Sequence, residues 1–248
     1  SLPLAPGVHR FTLGNDALET VNFGSLTFRG STVAVTEDSA MQLSGANVLV
    51  TGPLKSFSGT PSRTGPSPVV RITDSTVTQL GTDDLVQTAP GAAVSLNGSL
   101  LEGARSTITS GGSLLRLSST LSGPGPLLDV TETTLTVAGA VVNLSGGSTL
   151  TVTSGPAIRV SGGSLTADAL GIGDGTGNTF HLTGTVLELS NNATVSLRTL
   201  GESVPDNDTD TATFNLGLNE PFIRMSSSTL TLTGVGEELV GLGENDGP

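Results

Sequence analysis

The densest group of metal-ligating side chains lies in one acidic segment near the carboxyl end of the chain. Its oxygen-bearing members are Asp206, Asn207, Asp208 and Asp210. Calcium takes oxygen ligands from carboxylates, amides and backbone carbonyls, so these residue types suit it. The spacing matches no EF-hand, and the glycine expected after the ligands is missing. The segment is a candidate calcium site, and no other cofactor is expected.

A second set of chemistry-bearing residues is a recurring Thr-x-Thr pair. The pairs are Thr76/Thr78, Thr107/Thr109, Thr134/Thr136, Thr149/Thr151 and Thr229/Thr231. Alternate residues of a strand share a face, so stacked pairs are expected to form two parallel outward files. Such files resemble those of ice-binding β-solenoids. A plain solvated sheet face is the other interpretation, because threonine has a high β propensity and Ala34, Ser122 and Ser196 interrupt the array.

Residues for acid–base or nucleophilic catalysis are scarce. His9 and His181 are the only imidazoles, Lys55 is the only lysine, and the chain has no cysteine, tryptophan or tyrosine. A catalytic triad or a histidine zinc site needs a histidine placed against acids in a pocket, whereas His181 occupies the outward position of a strand-like pattern. We therefore expect no enzyme. A polysaccharide-active β-helix enzyme stays as an alternative, although sugar grooves usually use aromatic platforms.

The composition excludes several classes of protein. The 248 residues include 29 serines, 36 threonines and 34 glycines, which oppose helix interiors. The net charge of −12 offers no basic stripe for a nucleic acid, and anionic membrane surfaces are disfavoured for the same reason. No apolar run is long enough for a membrane-spanning helix, so no membrane insertion is expected. An acidic, cysteine-free, hydroxyl-rich chain suggests the outside of a bacterium.

The chain is built from repeats. Leu121, Leu135, Leu150 and Leu165 follow one another at intervals of 14 or 15 residues. Ten apolar–polar–apolar triplets and seven threonine-rich segments recur, separated by Gly, Ser or Pro. Period-two alternation between turn residues predicts short strands with one buried face. Longer excursions at residues 52–68, 81–90, 171–178 and 201–221 are expected to be loops or additional faces of wider coils.

These units predict an all-β fold, a single parallel β-helix (β-solenoid) that is right-handed by the crossover preference of parallel strands. One domain is expected over residues 1–248. Residues 1–22 could form an amino-terminal cap, residues 23–233 carry the repeats, and residues 234–248 form an acidic, glycine-rich tail. The coil length stays open at this stage.

The stretch from Val141 to Asp168, which reads VVNLSGGSTLTVTSGPAIRVSGGSLTAD, resembles the repeats of filamentous haemagglutinin-type exoproteins and autotransporter passengers. The resemblance covers residues 23–233 and implies a secreted, elongated, right-handed β-helix used in adhesion or as a stalk. The amino-terminal secretion domain of two-partner exoproteins and an outer-membrane barrel have no counterpart in the sequence.

The functional expectation is an extracellular structural protein at the cell surface, either a fibre subunit or an adhesin stalk. Its partners would be further copies stacked end to end or the rest of a longer parent chain, with a host-cell or matrix surface as the adhesive ligand. Unpaired strand edges at the ends of a solenoid make such stacking feasible. The first alternative is an ice-binding β-solenoid, and the second is a polysaccharide-active enzyme.

Overall fold

The computed structural model describes residues 10–11, 26–28, 34–35, 41–45, 47–50, 52–57, 59, 66–204, 212–217, 220–234 and 240–241. All of the helices and strands assigned within these residues are β-strands. Among them there is accordingly no helix that could span a membrane. Nearly all of the predicted cap (1–22) and tail (234–248) lies outside the described residues, as does the whole candidate calcium segment.

Twenty-five strands make up the described fold. In chain order they are β1 (Arg10–Phe11), β2 (Leu26–Phe28), β3 (Ala34–Val35), β4 (Met41–Ser44), β5 (Asn47–Val50), β6 (Lys55–Phe57), β7 (Val70–Thr73), β8 (Thr76–Gln79), β9 (Val86–Thr88), β10 (Ala93–Ser95), β11 (Leu101–Ala104), β12 (Thr107–Ser110) and β13 (Leu115–Leu117). They continue with β14 (Thr120–Gly123), β15 (Leu128–Val137), β16 (Ala140–Ser145), β17 (Thr149–Val152), β18 (Ile158–Asp174), β19 (Asn178–Leu182), β20 (Leu187–Ser190), β21 (Thr194–Val204), β22 (Ala212–Leu216), β23 (Ile223–Met225), β24 (Thr229–Leu232) and β25 (Val240–Gly241).

The strands stack in parallel into a four-sided solenoid, which confirms the predicted all-β class and the parallel β-solenoid architecture. The charged face consists of β4, β7, β11, residues 128–131, residues 158–161, β20 and β23. The threonine face consists of β2, β5, β8, β12, residues 133–137, residues 163–167, residues 194–197 and β24. The third face consists of β6, β9, β13, β16, residues 169–174, residues 199–204 and β25. The fourth face consists of β10, β14, β17, β19 and β22. Five turns carry all four faces.

One turn takes about two of the units seen in the sequence. Equivalent positions on the charged face are Val70, Leu101, Leu128, Ile158, Leu187 and Ile223, which are 27 to 36 residues apart. Leu135 therefore stacks on Leu165, and Leu121 stacks on Leu150, on two different faces. The unit of about 15 residues is half a turn, because the threonine face and the fourth face use the same Ser/Thr-apolar pattern.

The longer excursions prove to contain strands. Residues 52–68 and 81–90 contain β6 and β9, and residues 201–221 contain the end of β21 and all of β22. They belong to the third and fourth faces, so the wider-coil interpretation of these segments is the correct one. Their sequences hid the strands because Gly and Pro interrupt the alternation on both sides.

Aliphatic side chains fill the interior. Under the threonine face, Val77, Ile108, Leu135, Leu165 and Val195 are all fully buried. Branched aliphatics of similar size repeat at each level, so each layer packs on the previous one with little change in shape. The chain's single lysine is an exception: Lys55 points inward on β6 with 4% of its surface exposed, and its Nζ lies 5.0 Å from the centre of the Phe57 ring.

The corner between the charged and threonine faces is held by buried hydroxyls. Asp74, Arg105 and Glu132 turn the chain there in the left-handed conformation, with φ near +50°. The next residue in each turn is Ser75, Ser106 or Thr133. The Ser75 backbone N–H donates to Ser106 Oγ at 3.1 Å, and Ser106 Oγ donates to the Ala104 carbonyl at 2.8 Å. Side chains thus supply inter-turn hydrogen bonds where the backbone bends.

Candidate functional site

The described structure gathers most of the predicted threonines on the threonine face. Register pairing makes two files: the first runs Thr76, Thr107, Thr134, Ser164, Thr194 and Thr229, and the second runs Thr78, Thr109, Thr136, Thr166, Ser196 and Thr231. The sequence pattern missed Ser164, Thr166 and Thr194 as members. It also predicted interruptions that lie elsewhere, since Ser122 belongs to the fourth face and Ala34 pairs with Arg10.

One of the five predicted pairs lies on a different side of the solenoid. Thr149 and Thr151 belong to β17 on the fourth face, where they stack between Thr120/Ser122 and Thr179/His181. This second array is shorter and less uniform than the threonine face. His181 is exposed there, and its Nδ1 lies 3.3 Å from Asn215 Nδ2. The expected outward position of His181 is what the structure shows, while His9 lies outside the described residues.

Charged side chains concentrate on the charged face, where they form a ladder along the solenoid axis. Arg71 pairs with Glu102 at 2.9 Å. Three turns further on, Arg159 lies between two carboxylates, 3.1 Å from Asp129 and 3.2 Å from Glu188. Each of these ion pairs links neighbouring turns, so side-chain contacts add to the backbone hydrogen bonds that hold the stack together.

The ladder places two carboxylates next to each other. Glu102 and Asp129 are register partners, with no arginine between them. A surface cavity of about 260 Å³ opens beside them, lined also by Arg71, Thr73 and Thr131. Burial raises the pKa of Asp129, and the negative charge of Glu102 raises it further against the opposing pull of Arg159. Each carboxylate already accepts hydrogen bonds from an arginine, Arg71 or Arg159, so the pair is part of the ladder.

A third charged group lies on the third face. Arg116 is 3.8 Å from Asp84 on one side and 3.8 Å from Asp174 on the other. Asp84 is buried and accepts a hydrogen bond from the Ser113 backbone N–H at 2.8 Å. Burial raises the pKa of Asp84 despite this hydrogen bond and the nearby guanidinium. Arg116 and Arg159, which occupy the same position in similar apolar–polar–apolar triplets, therefore lie on different faces.

Metal-binding capacity is limited in the part of the chain that the structure describes. Within it, no three His, Cys, Asp or Glu side chains come close enough together to hold a metal ion. The candidate ligands Asp206, Asn207, Asp208 and Asp210 fall outside that part, so the calcium hypothesis stays a prediction.

The two aspartates with raised pKa values lead to a pH prediction. Their folded forms take up protons at a higher pH than the unfolded chain does, so their favourable contribution is complete below the unfolded pKa and is lost as the pH rises through the folded pKa. We expect the stability of Asp84→Asn and Asp129→Asn, relative to the original chain, to improve as the pH rises above about 4, the ordinary pKa of an aspartate. Urea unfolding at several pH values measures this difference.

Asp74 provides the matched control for that prediction. Its pKa is lowered, chiefly by the hydrogen bond from Arg105, whose Nε lies 2.7 Å from its Oδ1. Its stabilisation is therefore present above the unfolded pKa and is lost as the pH falls through the folded pKa. Asp74→Asn should show the opposite trend, becoming relatively less stable as the pH rises. The same sign for all three variants would contradict the assignment.

No protein-family model, no curated protein and no solved structure matches this chain.

Proposed function

We propose that this chain is an extracellular structural protein, a section of a surface fibre or of an adhesin stalk, made by stacking solenoid turns end to end. The proposal draws on the architecture shared with haemagglutinin-type exoproteins and autotransporter passengers, and on the hydroxyl-rich, acidic composition. The observation that carries it is the exposed apolar end of the last described turn.

That end presents core positions to solvent. On the last turn, Met225 is 43% exposed and Leu232 is 36% exposed. Their register partners one turn earlier, Leu189 and Leu197, are 1% and 0% exposed. The difference arises because the earlier positions are covered by the following turn. Among the described residues, β23 and β24 pair only with the preceding turn. Exposed apolar surface next to such strand edges favours the addition of another turn of the same kind.

The axial ion pairs support a mechanical role. Asp129, Arg159, Glu188 and Arg224 form one continuous chain of contacts across four turns. Pulling two turns apart would at the same time separate these charges, break the inter-strand hydrogen bonds and expose the aliphatic interior to water. Because Asp129, Arg159 and Glu188 are half-buried, their attraction is screened less by salt than that of fully exposed pairs. Arg224, at the end of this chain of contacts, is exposed.

The described solenoid is short along its axis. From Met41 to Ile223 the charged face advances by six turns. At about 4.8 Å per turn this is about 29 Å. A stalk or fibre needs a much greater length, so the proposed partner is a second copy of this chain, added turn on turn at the open end.

Electron microscopy across a concentration series tests the proposal. We expect filaments that lengthen with protein concentration and show an axial repeat commensurate with the spacing of the turns. Leu232→Glu should abolish them, because it places a charge among the apolar side chains of the open end. Thr231→Glu, one residue away on the outward side, should leave them intact. Short isolated particles at every concentration would contradict end-to-end assembly.

The enzymatic alternative is tested separately. A panel of plant, microbial and animal polysaccharides should show neither hydrolysis nor lyase products, since Glu102 and Asp129, the adjacent carboxylates of the charged face, are each paired with an arginine. Cleavage that depends on Glu102 or Asp129 would overturn the structural assignment and support the polysaccharide-active alternative.

A further inference from the structure

The threonine face differs from the rest of the described surface in its regularity. Twelve outward positions over six consecutive turns are all Thr or Ser. Ten of the twelve are Thr, and the two Ser residues, Ser164 and Ser196, fall on different files. Every one of these side chains is half-buried or exposed. The face is therefore a two-dimensional array of hydroxyl and methyl groups, uninterrupted from β8 to β24.

The hydroxyls of this array are available for hydrogen bonds with a ligand. Within the described residues, none of the twelve takes part in a side-chain hydrogen bond, whereas the buried corner hydroxyls of Ser75, Ser106 and Thr133 all do. Each hydroxyl can donate one hydrogen bond and accept two. The ligand that best matches such a surface offers hydrogen-bond donors and acceptors at every position of the array.

The array is also neutral. Charged residues flank it at the corners, and four of them form ion pairs across turns: Arg105 with Asp74 at 2.7 Å, and Arg198 with Asp168 at 2.7 Å. On a chain of net charge −12, a neutral face has no electrostatic attraction that would make ions or charged polymers prefer it to the rest of the surface. Its occupant is therefore uncharged.

The base under the array is rigid. Val77, Ile108, Leu135, Leu165 and Val195, the inward residues between the two files, are fully buried. Inter-strand pairing holds neighbouring turns about 4.8 Å apart, and alternate residues along each strand are about 6.6 Å apart. Five steps make the array about 24 Å long. The spacing in both directions is comparable to the repeat of oxygen positions on the faces of an ice crystal.

We propose that the threonine face binds ice. Water in ice is uncharged, offers donors and acceptors at every site and repeats in two directions, which are the properties that this face requires. A single sugar or peptide would contact only part of the array, and sugar-binding surfaces rely on aromatic platforms, whereas Trp and Tyr are absent from the sequence. Ordered water along the hydroxyl files would join the protein to the crystal lattice.

Thermal hysteresis and uptake into a growing ice surface test this proposal. The original chain should lower the freezing point below the melting point and should be enriched in the ice fraction. Thr134→Tyr, at the centre of the threonine face, should lose most of both activities because its ring breaks the flat surface. Thr149→Tyr is the matched control on the fourth face and should keep both.

A second variant distinguishes loss of ice binding from loss of folding. Thr136→Lys places a charge in the array at an exposed position and should lose the activity while its urea unfolding midpoint stays near that of the original chain. Absence of thermal hysteresis and of ice uptake in the original chain overturns the proposal. Equal loss in Thr134→Tyr and Thr149→Tyr also overturns it, because the activity would then not belong to the threonine face.

Discussion

Replacing Gly163 by alanine should destabilise the solenoid by about 3–5 kcal/mol. Gly163 has φ +72°, and a Cβ built there would lie 2.3 Å from the Thr133 carbonyl oxygen and 2.6 Å from the Thr133 backbone nitrogen. Both contacts are with backbone of the neighbouring turn, which cannot move aside without breaking the inter-turn pairing. The left-handed conformation alone costs an L-residue about 1–2 kcal/mol, and the steric overlap adds to that cost.

Gly146 provides the matched control for this substitution. It has a similar left-handed conformation, φ +66°, but an added Cβ would meet nothing within 4 Å. Gly146→Ala should therefore cost only the conformational term, about 1–2 kcal/mol. Urea denaturation followed by far-ultraviolet circular dichroism gives both values. Equal losses in the two variants would show that the turns are not in close backbone contact at Gly163.

The second large effect is expected at Leu135, in the middle of the aliphatic column. Its side chain is fully buried between those of Ile108 and Leu165 on adjacent turns. Leu135→Ala should cost about 2–5 kcal/mol, because it removes buried methyl groups and leaves a cavity that stacked strands cannot close. In a repeat architecture each turn contacts only its neighbours, so the loss should fall on the turns that adjoin Leu135.

Hydrogen exchange and urea unfolding together check that prediction. Amide protection should fall most in β12, β15 and β18, and the unfolding midpoint should drop. Leu80 is the matched control, since its side chain is 48% exposed and Leu80→Ala should change stability by no more than about 0.5 kcal/mol. A uniform loss of protection along the whole solenoid would contradict the nearest-neighbour picture.

Period-two alternation was a reliable guide to the strands. Ile158–Val160 and Thr149–Val152, for example, alternate apolar and polar residues, and both are strands in the structure. Their inward residues are the buried ones, as in Ile158 and Val160. This much follows from local chemistry, because a strand presents successive side chains to opposite faces wherever it lies in the fold.

The assignment of strands to faces did not follow from the same pattern. Thr149/Thr151 and Thr134/Thr136 are indistinguishable as local sequences, yet they lie on different sides of the solenoid. Arg116 and Arg159 likewise share a triplet pattern but take different partners, Asp84 and Asp174 in the first case and Asp129 and Glu188 in the second. Glu102, a member of the ladder, was missed because Gly103 replaces the apolar residue that would have completed its triplet.

By itself, the sequence determined the all-β class, the repeat architecture, the aliphatic interior and the hydroxyl-rich exterior. These depend on side-chain polarity and on residues one or two positions apart. Only the tertiary structure decided the length of a turn, the division into four faces, the continuity of the threonine array and the partners in the charge ladder. Those features depend on which residue stacks on which about 30 positions later. Turns of 27 to 36 residues change length at their corners, so no fixed spacing in the sequence reveals that register.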